Sequence, residues 1–209
     1  MLVRKDRAGR RRRSRNPEHT RKLLLHAAFE EVHKSGFQGA DLDTILAATG
    51  LTKGALYYHF GSKKALGYAI VKDVIAENLR DKWLRPFRKG ANPIDTVIEI
   101  VRATSLRLEV MRAGCPLNNL AQEMSQRDER FRKHLADLFQ EWQKGLATAL
   151  RRGQLEGTVR RDLDARETAS FLIATYEGYV MLAKNAQNVN VWRVGIKNIV
   201  GWLQSLRAG

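Results

Sequence analysis

The stretch from Leu51 to Lys64, LTKGALYYHFGSKK, puts cations, phenolic hydroxyls and a position without a side chain on one short segment. If the segment is helical, Lys53 and Tyr57 are four residues apart and share a face, with Gly54 and Tyr58 beside them. That face suits a nucleic-acid backbone. Lys53 would neutralise a phosphate, Gly54 would let the main chain approach closely, and Tyr57 and Tyr58 would hydrogen-bond phosphates or pack on thymine methyl groups. His59, near the end of the helix, reaches the backbone as well. Lys63 follows Ser62, a capping residue, and would add a cation to the free N–H groups that open the next helix. Taken singly, a Tyr pair at helical spacing is commonly part of a core, and a lone Lys is commonly a solvated charge. Their clustering is what points to nucleic acid.

The elements that must position these groups are legible upstream. Asp41 is an N-cap for a short helix over Asp43–Thr49 that offers Ile45, Leu46 and Ala48 for burial. Gly50 supplies a sharp turn. Thr52 then caps a second helix to about His59, anchored inward by Leu56 and Phe60. Two helices across a glycine turn form a helix-turn-helix, whose second helix enters the major groove.

From Thr20 to Leu66 the chain resembles the DNA-binding domain of TetR-family transcriptional regulators. The matching residues are Leu24-Leu25-His26-Ala27-Ala28-Phe29, Gly36-Phe37, Ile45, Ala48, Gly50-Leu51-Thr52-Lys53-Gly54, Leu56-Tyr57-Tyr58-His59-Phe60, Ser62-Lys63 and Leu66. The resemblance implies an all-α protein with a basic disordered arm over 1–19, a helix-turn-helix domain over 20–66, and a helical domain over 67–209 that dimerises and binds a small-molecule inducer. Thr52, Lys53, Gly54, Tyr57, Tyr58, His59 and Lys63 form the expected contact set for an operator in double-stranded DNA. The chain departs from the family pattern at Ala40 and Asp41, where Ser or Thr hydroxyls are usual. Asp41 can still cap, but its charge repels phosphate, so it stays outside the set.

Composition narrows the classes. The chain has 209 residues, 44% of them hydrophobic, enough for a buried core, and a net charge of +15. Residues 1–22 hold ten Lys or Arg against two acids, a net +8, leaving +7 for the rest. An arm containing Arg10-Arg11-Arg12-Arg13-Ser14-Arg15 suits phosphates or a minor groove, or serves only as a solubilising tail. No uninterrupted apolar run of membrane-spanning length occurs, and the N-terminus lacks the apolar segment of a secretory signal; a cytoplasmic protein is expected. One cysteine forms no intramolecular disulfide and no multi-cysteine metal site. The five histidines lack zinc-ligand spacing, so neither metal nor cofactor is expected. Nucleotide-loop and nucleophile-elbow motifs are absent too, and no enzyme is expected.

Beyond Ser62 the pattern is helical throughout. A long helix ends at Pro86, and Asn92-Pro93 opens another to about Arg112, with Val97, Ile98, Val101, Leu108 and Val110 facing inward. Gly114 breaks the chain, and Pro116 begins a helix to about Met124 with Cys115 at its N-cap. Further helices are expected over about Glu129–Leu155, Ala165–Asn185 and Val191–Leu206. The last two carry Phe171, Ala174, Tyr176, Gly178, Leu182, Trp192, Ile196, Ile199, Val200, Leu203 and Leu206. That is apolar surface enough for a four-helix homodimer interface, although part of it must be intramolecular core.

An effector pocket is expected from Trp83, Phe87, Cys115, Leu117, Asn118, Trp142, Tyr176 and Tyr179. The run Gly114-Cys115-Pro116-Leu117-Asn118-Asn119-Leu120 resembles a segment of one branch of the family, some members of which sense electrophiles. A thiol at a helix N-terminus has its thiolate favoured by the free N–H groups, whereas a lone cysteine is more often a buried small hydrophobe. Together these observations imply a ligand-responsive DNA-binding regulator, in the first instance a repressor. Two other readings remain: a non-specific DNA-coating protein, and an enzyme with Cys115 as nucleophile, for which no local motif supplies a base.

Overall fold

The computed structural model describes residues 16–87, 91–104 and 112–209. The basic run Arg10–Arg15 and the expected core residues Leu108 and Val110 lie outside them. Among the described residues the chain is all-α, with one isolated bridge between Val159 and Arg207.

α1 (Pro17–Gly39) starts where Asn16 accepts the Glu18 N–H and proline occupies the first turn, so Pro17–His19 belong to this helix rather than to the arm. Leu24, Leu25, Ala28, Phe29 and Val32 form its buried stripe. Gly36, at φ 76°, interrupts the helix before Phe37 turns back into the core.

α2 (Leu42–Thr49) is capped by Asp41, whose carboxylate accepts the N–H groups of Asp43 and Thr44, and it ends at Gly50 in the left-handed region. Ile45 and Leu46 are buried as expected. Ala48 is not: it lies on the outer side of α2 and is exposed. α3 (Lys53–Phe60) is capped by the Thr52 hydroxyl, which accepts the Ala55 N–H at 3.3 Å, and it is anchored by buried Leu56 and Phe60.

The long fourth helix, α4, runs through Lys63–Ala69, a wide π-turn stretch Ile70–Ile75, Ala76–Leu79 and a second π stretch Arg80–Leu84. It packs on α1 at one end and on α7 along its length. α5 (Pro93–Ala103) is capped by Asn92 and stops eleven residues further on, because Thr104 leaves helical geometry at ψ 125°; the single helix expected up to Arg112 is therefore not continuous.

α6 (Pro116–Met124), α7 (Glu129–Leu155), α8 (Ala165–Ala186) and α9 (Val189–Ser205) complete the fold, the last three capped by Asp128, Asp164 and Asn188. α8 packs between α7 and α9, and α6 lies across α1. One hydrophobic core runs from Leu24 in α1 to Leu206 after α9.

The apolar residues of the last two helices divide. Tyr176, Trp192, Ile199, Val200, Leu203 and Leu206 are buried within the protomer and form the part of that apolar set that is intramolecular core. They are the inward positions of helices that cross each other, and each helix has only one other face to offer. That face carries Phe171, Ala174, Met181, Leu182 and Val194, all exposed, with Phe171 packed at a tilt against Trp202, ring centroids 4.8 Å apart.

Candidate functional site

The helix-turn-helix presents its polar face as the spacing demands. Tyr58 is 82% exposed and Tyr57 47% exposed, large aromatics that burial would otherwise claim. His59 is half-buried, its ring edge-on to Tyr58 at 5.1 Å. A Cβ added at Gly54 would meet only the Thr52 hydroxyl at 3.8 Å, so the helix start is open to a close approach. Lys53 is paired with Asp43 across the turn at 2.9 Å, which raises its pKa. Both side chains are well exposed, so the pair is weak and a phosphate can compete for the ammonium.

Lys63 differs from its expected geometry. Its ammonium does not sit beside the free N–H groups of α4; it donates to the carbonyls of Gln38 (3.2 Å) and Ala40 (2.5 Å) and lies over the Phe37 ring. The break at Gly36 leaves those carbonyls without helical donors, and the lysine satisfies them.

The same break leaves N–H groups to be satisfied, and α6 provides for them. Glu123 accepts the N–H of Phe37 at 2.8 Å and that of Gln38 at 2.7 Å. At the other end of α6, His33 Nε2 is bonded to the carbonyl of Gly114 at 2.9 Å. One nine-residue helix thus grips α1 at both ends. A second link joins α4 to α7. There Asp128 accepts Tyr68 Oη at 3.0 Å and pairs with Lys64 at 3.0 Å, and its carboxyl is held down at about 2, chiefly by the Phe131 N–H and then by Lys64.

A cavity of about 230 Å³ lies between α4, α6, α7 and α8. Trp83, Cys115, Leu117, Trp142 and Tyr176 line it, as expected from the sequence. Trp83 packs on Trp142 at 4.7 Å and on Tyr176 at 4.8 Å, building an aromatic wall. Three expected residues point elsewhere. Phe87 packs near Val97 and Trp202 at the far end of the bundle. Tyr179 lies against Gly195 of α9 and accepts a hydrogen bond from Asn198 at 2.8 Å. Asn118 borders a larger, open space of about 1020 Å³ between α1, α6 and α8. The smaller cavity holds the aromatic wall and the buried ionisable groups.

Sequence reasoning missed Lys82 and Glu177. Lys82 Nζ donates to Tyr176 Oη at 2.7 Å, and burial lowers its pKa. Glu177 is buried and its pKa is raised by burial, with Cys115, Lys82 and Asn118 pulling the other way. Cys115 occupies the N-cap of α6, but its side chain caps nothing. Its thiol is enclosed beside Glu177, and burial, then that carboxylate's charge, push its pKa up. Of the two readings of this cysteine, the raised pKa favours the small hydrophobe over the activated thiolate, desolvation opposing the pull of the helix N-terminus.

The described residues show no cluster of His, Cys, Asp or Glu that could hold a metal, and no helix among them is long and apolar enough to cross a membrane. Residues 24–70 match the bacterial regulatory proteins of the tetR family, and residues 93–196 match the tetracyclin repressor-like C-terminal domain. A helix-turn-helix transcriptional regulator of Lactococcus lactis is 30% identical over 180 residues, covering 84% of this chain and 89% of its own length.

The chain belongs to the TetR family. The transcriptional repressor DhaR of a Mycobacterium species is 28% identical over 175 residues, covering 80% of this chain and 84% of DhaR. A TetR regulator structure from Chloroflexus aurantiacus superposes with a TM-score of 0.80 at 28% identity, over 93% of this chain and all of the other. Escherichia coli NemR in its reduced form shares the fold, with a TM-score of 0.77 at 21% identity over 91% of this chain and 97% of NemR. This TetR-family chain is a DNA-binding transcriptional regulator with a helical C-terminal domain.

Proposed function

We propose that the chain is a cytoplasmic repressor that holds operator DNA as a homodimer and releases it when a small molecule occupies the cavity between α4, α6, α7 and α8. The observation that carries the DNA-binding part is the exposure of Tyr57 and Tyr58 on a helix whose other face is locked by Leu56 and Phe60. In this reading Thr52, Lys53, Gly54, Tyr57, Tyr58 and His59 meet the major groove, and Lys63, its ammonium held by the Gln38 and Ala40 carbonyls, shapes the turn that presents them. The reading unit runs from Pro17 to Leu66 and the effector and dimerisation unit from residue 67 onward.

α6 supplies the coupling. Cys115 and Leu117 at its start line the cavity, and Glu123 at its end holds the main chain of α1 just before α2. A ligand that displaces α6 shifts the two reading heads between a binding and a non-binding arrangement, with a differential affinity that sets the extent of release. The enclosed, protonated thiol favours a non-covalent inducer over an electrophile, and it also disfavours Cys115 as an enzyme nucleophile.

Selection from a random duplex library followed by footprinting tests the reading. The expected result is one protected near-palindrome, bound about a thousandfold or more tighter than random DNA at physiological salt. A ratio near one would instead establish a non-specific coating protein.

A further inference from the structure

Two buried polar groups on the cavity wall lack a well-formed hydrogen bond among the described residues. Glu177 on α8 is 6% exposed, and neither of its carboxyl oxygens has a partner at full hydrogen-bond geometry; the Cys115 thiol and the Asn118 side chain stand close enough to interact with it only weakly. Trp142 on α7 is 1% exposed, and its indole N–H is likewise unbonded. Buried polar groups are ordinarily satisfied, so an unpaired acceptor and an unpaired donor lining the same cavity define a complement. Lys82 adds to the donor side: one of its three N–H groups goes to Tyr176, and the ammonium lies over the rings of Trp83 and Tyr176 at 5.6 and 5.1 Å.

We propose, resting on the reading of this cavity as the effector site, that its ligand is an uncharged aromatic or cyclic amide. The amide N–H bonds Glu177, the carbonyl accepts from Trp142 or Lys82, and the ring lies on the wall of Trp83, Trp142 and Tyr176. Other classes fit less well. A carboxylic acid would bring a second anion to Glu177, an organic ammonium would bring a second cation to Lys82, and a hydrocarbon would leave both unpaired groups unsatisfied. A site lined with hydrogen-bonding groups rejects analogues that lack the matching group far more strongly than a greasy pocket rejects an extra methyl.

Calorimetric titration of the full-length protein with benzamide, benzoate, benzylamine and toluene tests this. Benzamide is expected to bind at least tenfold tighter than the other three. Glu177→Leu should abolish that preference while toluene still binds. Should the leucine variant fail to fold, Glu177→Gln is expected to retain benzamide and to narrow its margin over benzoate. Tighter binding of benzoate or benzylamine, an unchanged benzamide affinity in Glu177→Leu, or no binding of any probe would overturn the amide assignment. The effector-site reading is judged separately by Val180→Trp, which fills the cavity. If benzamide binds this variant as it binds the wild type, the ligand sits elsewhere and the reading of the cavity fails.

Discussion

The carboxylate of Glu123 accepts the backbone N–H of Phe37 at 2.8 Å, bridging the effector domain to the first helix of the reading head. Its other oxygen takes the Gln38 N–H, so one side chain satisfies two main-chain donors that the break at Gly36 frees. Glu123→Ala leaves the part-buried Phe37 N–H unpaired, while the exposed Gln38 N–H turns to water, at a cost of about 1–3 kcal/mol. For a chain of this size that lowers Tm by roughly 2–10 °C. Calorimetry checks the stability, and operator affinity with and without ligand checks the coupling: the variant is expected to bind DNA but to respond to ligand less than the wild type. Gly36→Ala should be comparably damaging, since its Cβ would stand 2.9 Å from Glu123 Oε2 at a positive φ.

Side chains on opposite faces of α3 should separate affinity from stability. Tyr58 is exposed, so Tyr58→Ala is expected to leave Tm unchanged within about 0.5 kcal/mol equivalent and to weaken operator binding about tenfold or more. Leu56→Ala is expected to cost about 2–5 kcal/mol, because it empties a fully buried position. Lys53→Ala should reduce the slope of log affinity against log salt by about one, with little change in sequence preference. Fluorescence anisotropy across a salt series, run beside thermal unfolding, distinguishes the three.

The reading head was legible in the sequence because its signals are local. Asp41, Gly50, Thr52 and Ser62 each act on a backbone group within three residues, and the structure places all four as caps or turn. The cavity was only half legible. Trp83, Trp142 and Tyr176 announce themselves as large aromatics, but Lys82 reads as a surface charge and Glu177 as one more acid until α8 is rotated against α4. Cys115 shows the limit most clearly: its position at the N-cap of α6 follows from Gly114 and Pro116, whereas its raised pKa comes from burial and then from Glu177, some sixty residues away. The division of α8 and α9 into core and open faces was hidden for the same reason, since both faces are apolar.

The open face of α8 and α9 should govern assembly. Phe171, Leu182 and Val194 are each about half exposed, and a homodimer is the arrangement that would cover them. Phe171→Glu with Leu182→Glu is expected to yield a folded monomer that has lost tight operator binding. Light scattering at micromolar concentration reads the first effect, and circular dichroism confirms that the helices persist. A wild-type protein that is monomeric under those conditions would remove the dimer from the mechanism.

Gly67 is fixed by the aromatic joint between the two domains. Phe37, Tyr68 and Phe131 pack with centroids 4.8 Å apart, and a Cβ at Gly67 would reach 2.6 Å from Phe131 and also meet the Phe37 ring. Gly67→Ala is therefore expected to cost about 1–3 kcal/mol by overpacking, despite the better helix propensity of alanine. Chemical unfolding gives the sign directly: stabilisation would mean that the joint is free to move apart.

Glu177 should make stability fall as pH rises through the acid range. Burial raises its pKa in the folded state above the ordinary value of about 4.5. Below that value both the folded and the unfolded chain hold the proton, and nothing is lost. Above it the unfolded chain releases the proton while the folded site keeps it, so stability declines until the raised folded pKa is passed. Lys82 acts in a separate window: its lowered pKa makes its contribution grow as pH rises from that folded value toward about 10.5. Hydrogen-bonded carboxylates such as Asp128 have the opposite trend to Glu177, because their folded pKa is depressed, so absolute curves mix the signs. The difference between wild type and Glu177→Gln isolates the buried carboxyl. Urea unfolding at fixed protein concentration is expected to show a constant difference below about pH 4, with the variant gaining stability relative to the wild type as pH rises above the ordinary carboxyl value of 4.5. A difference that stays constant above that value as well would show that Glu177 titrates at its ordinary value, and that the cavity is wetter than its geometry implies.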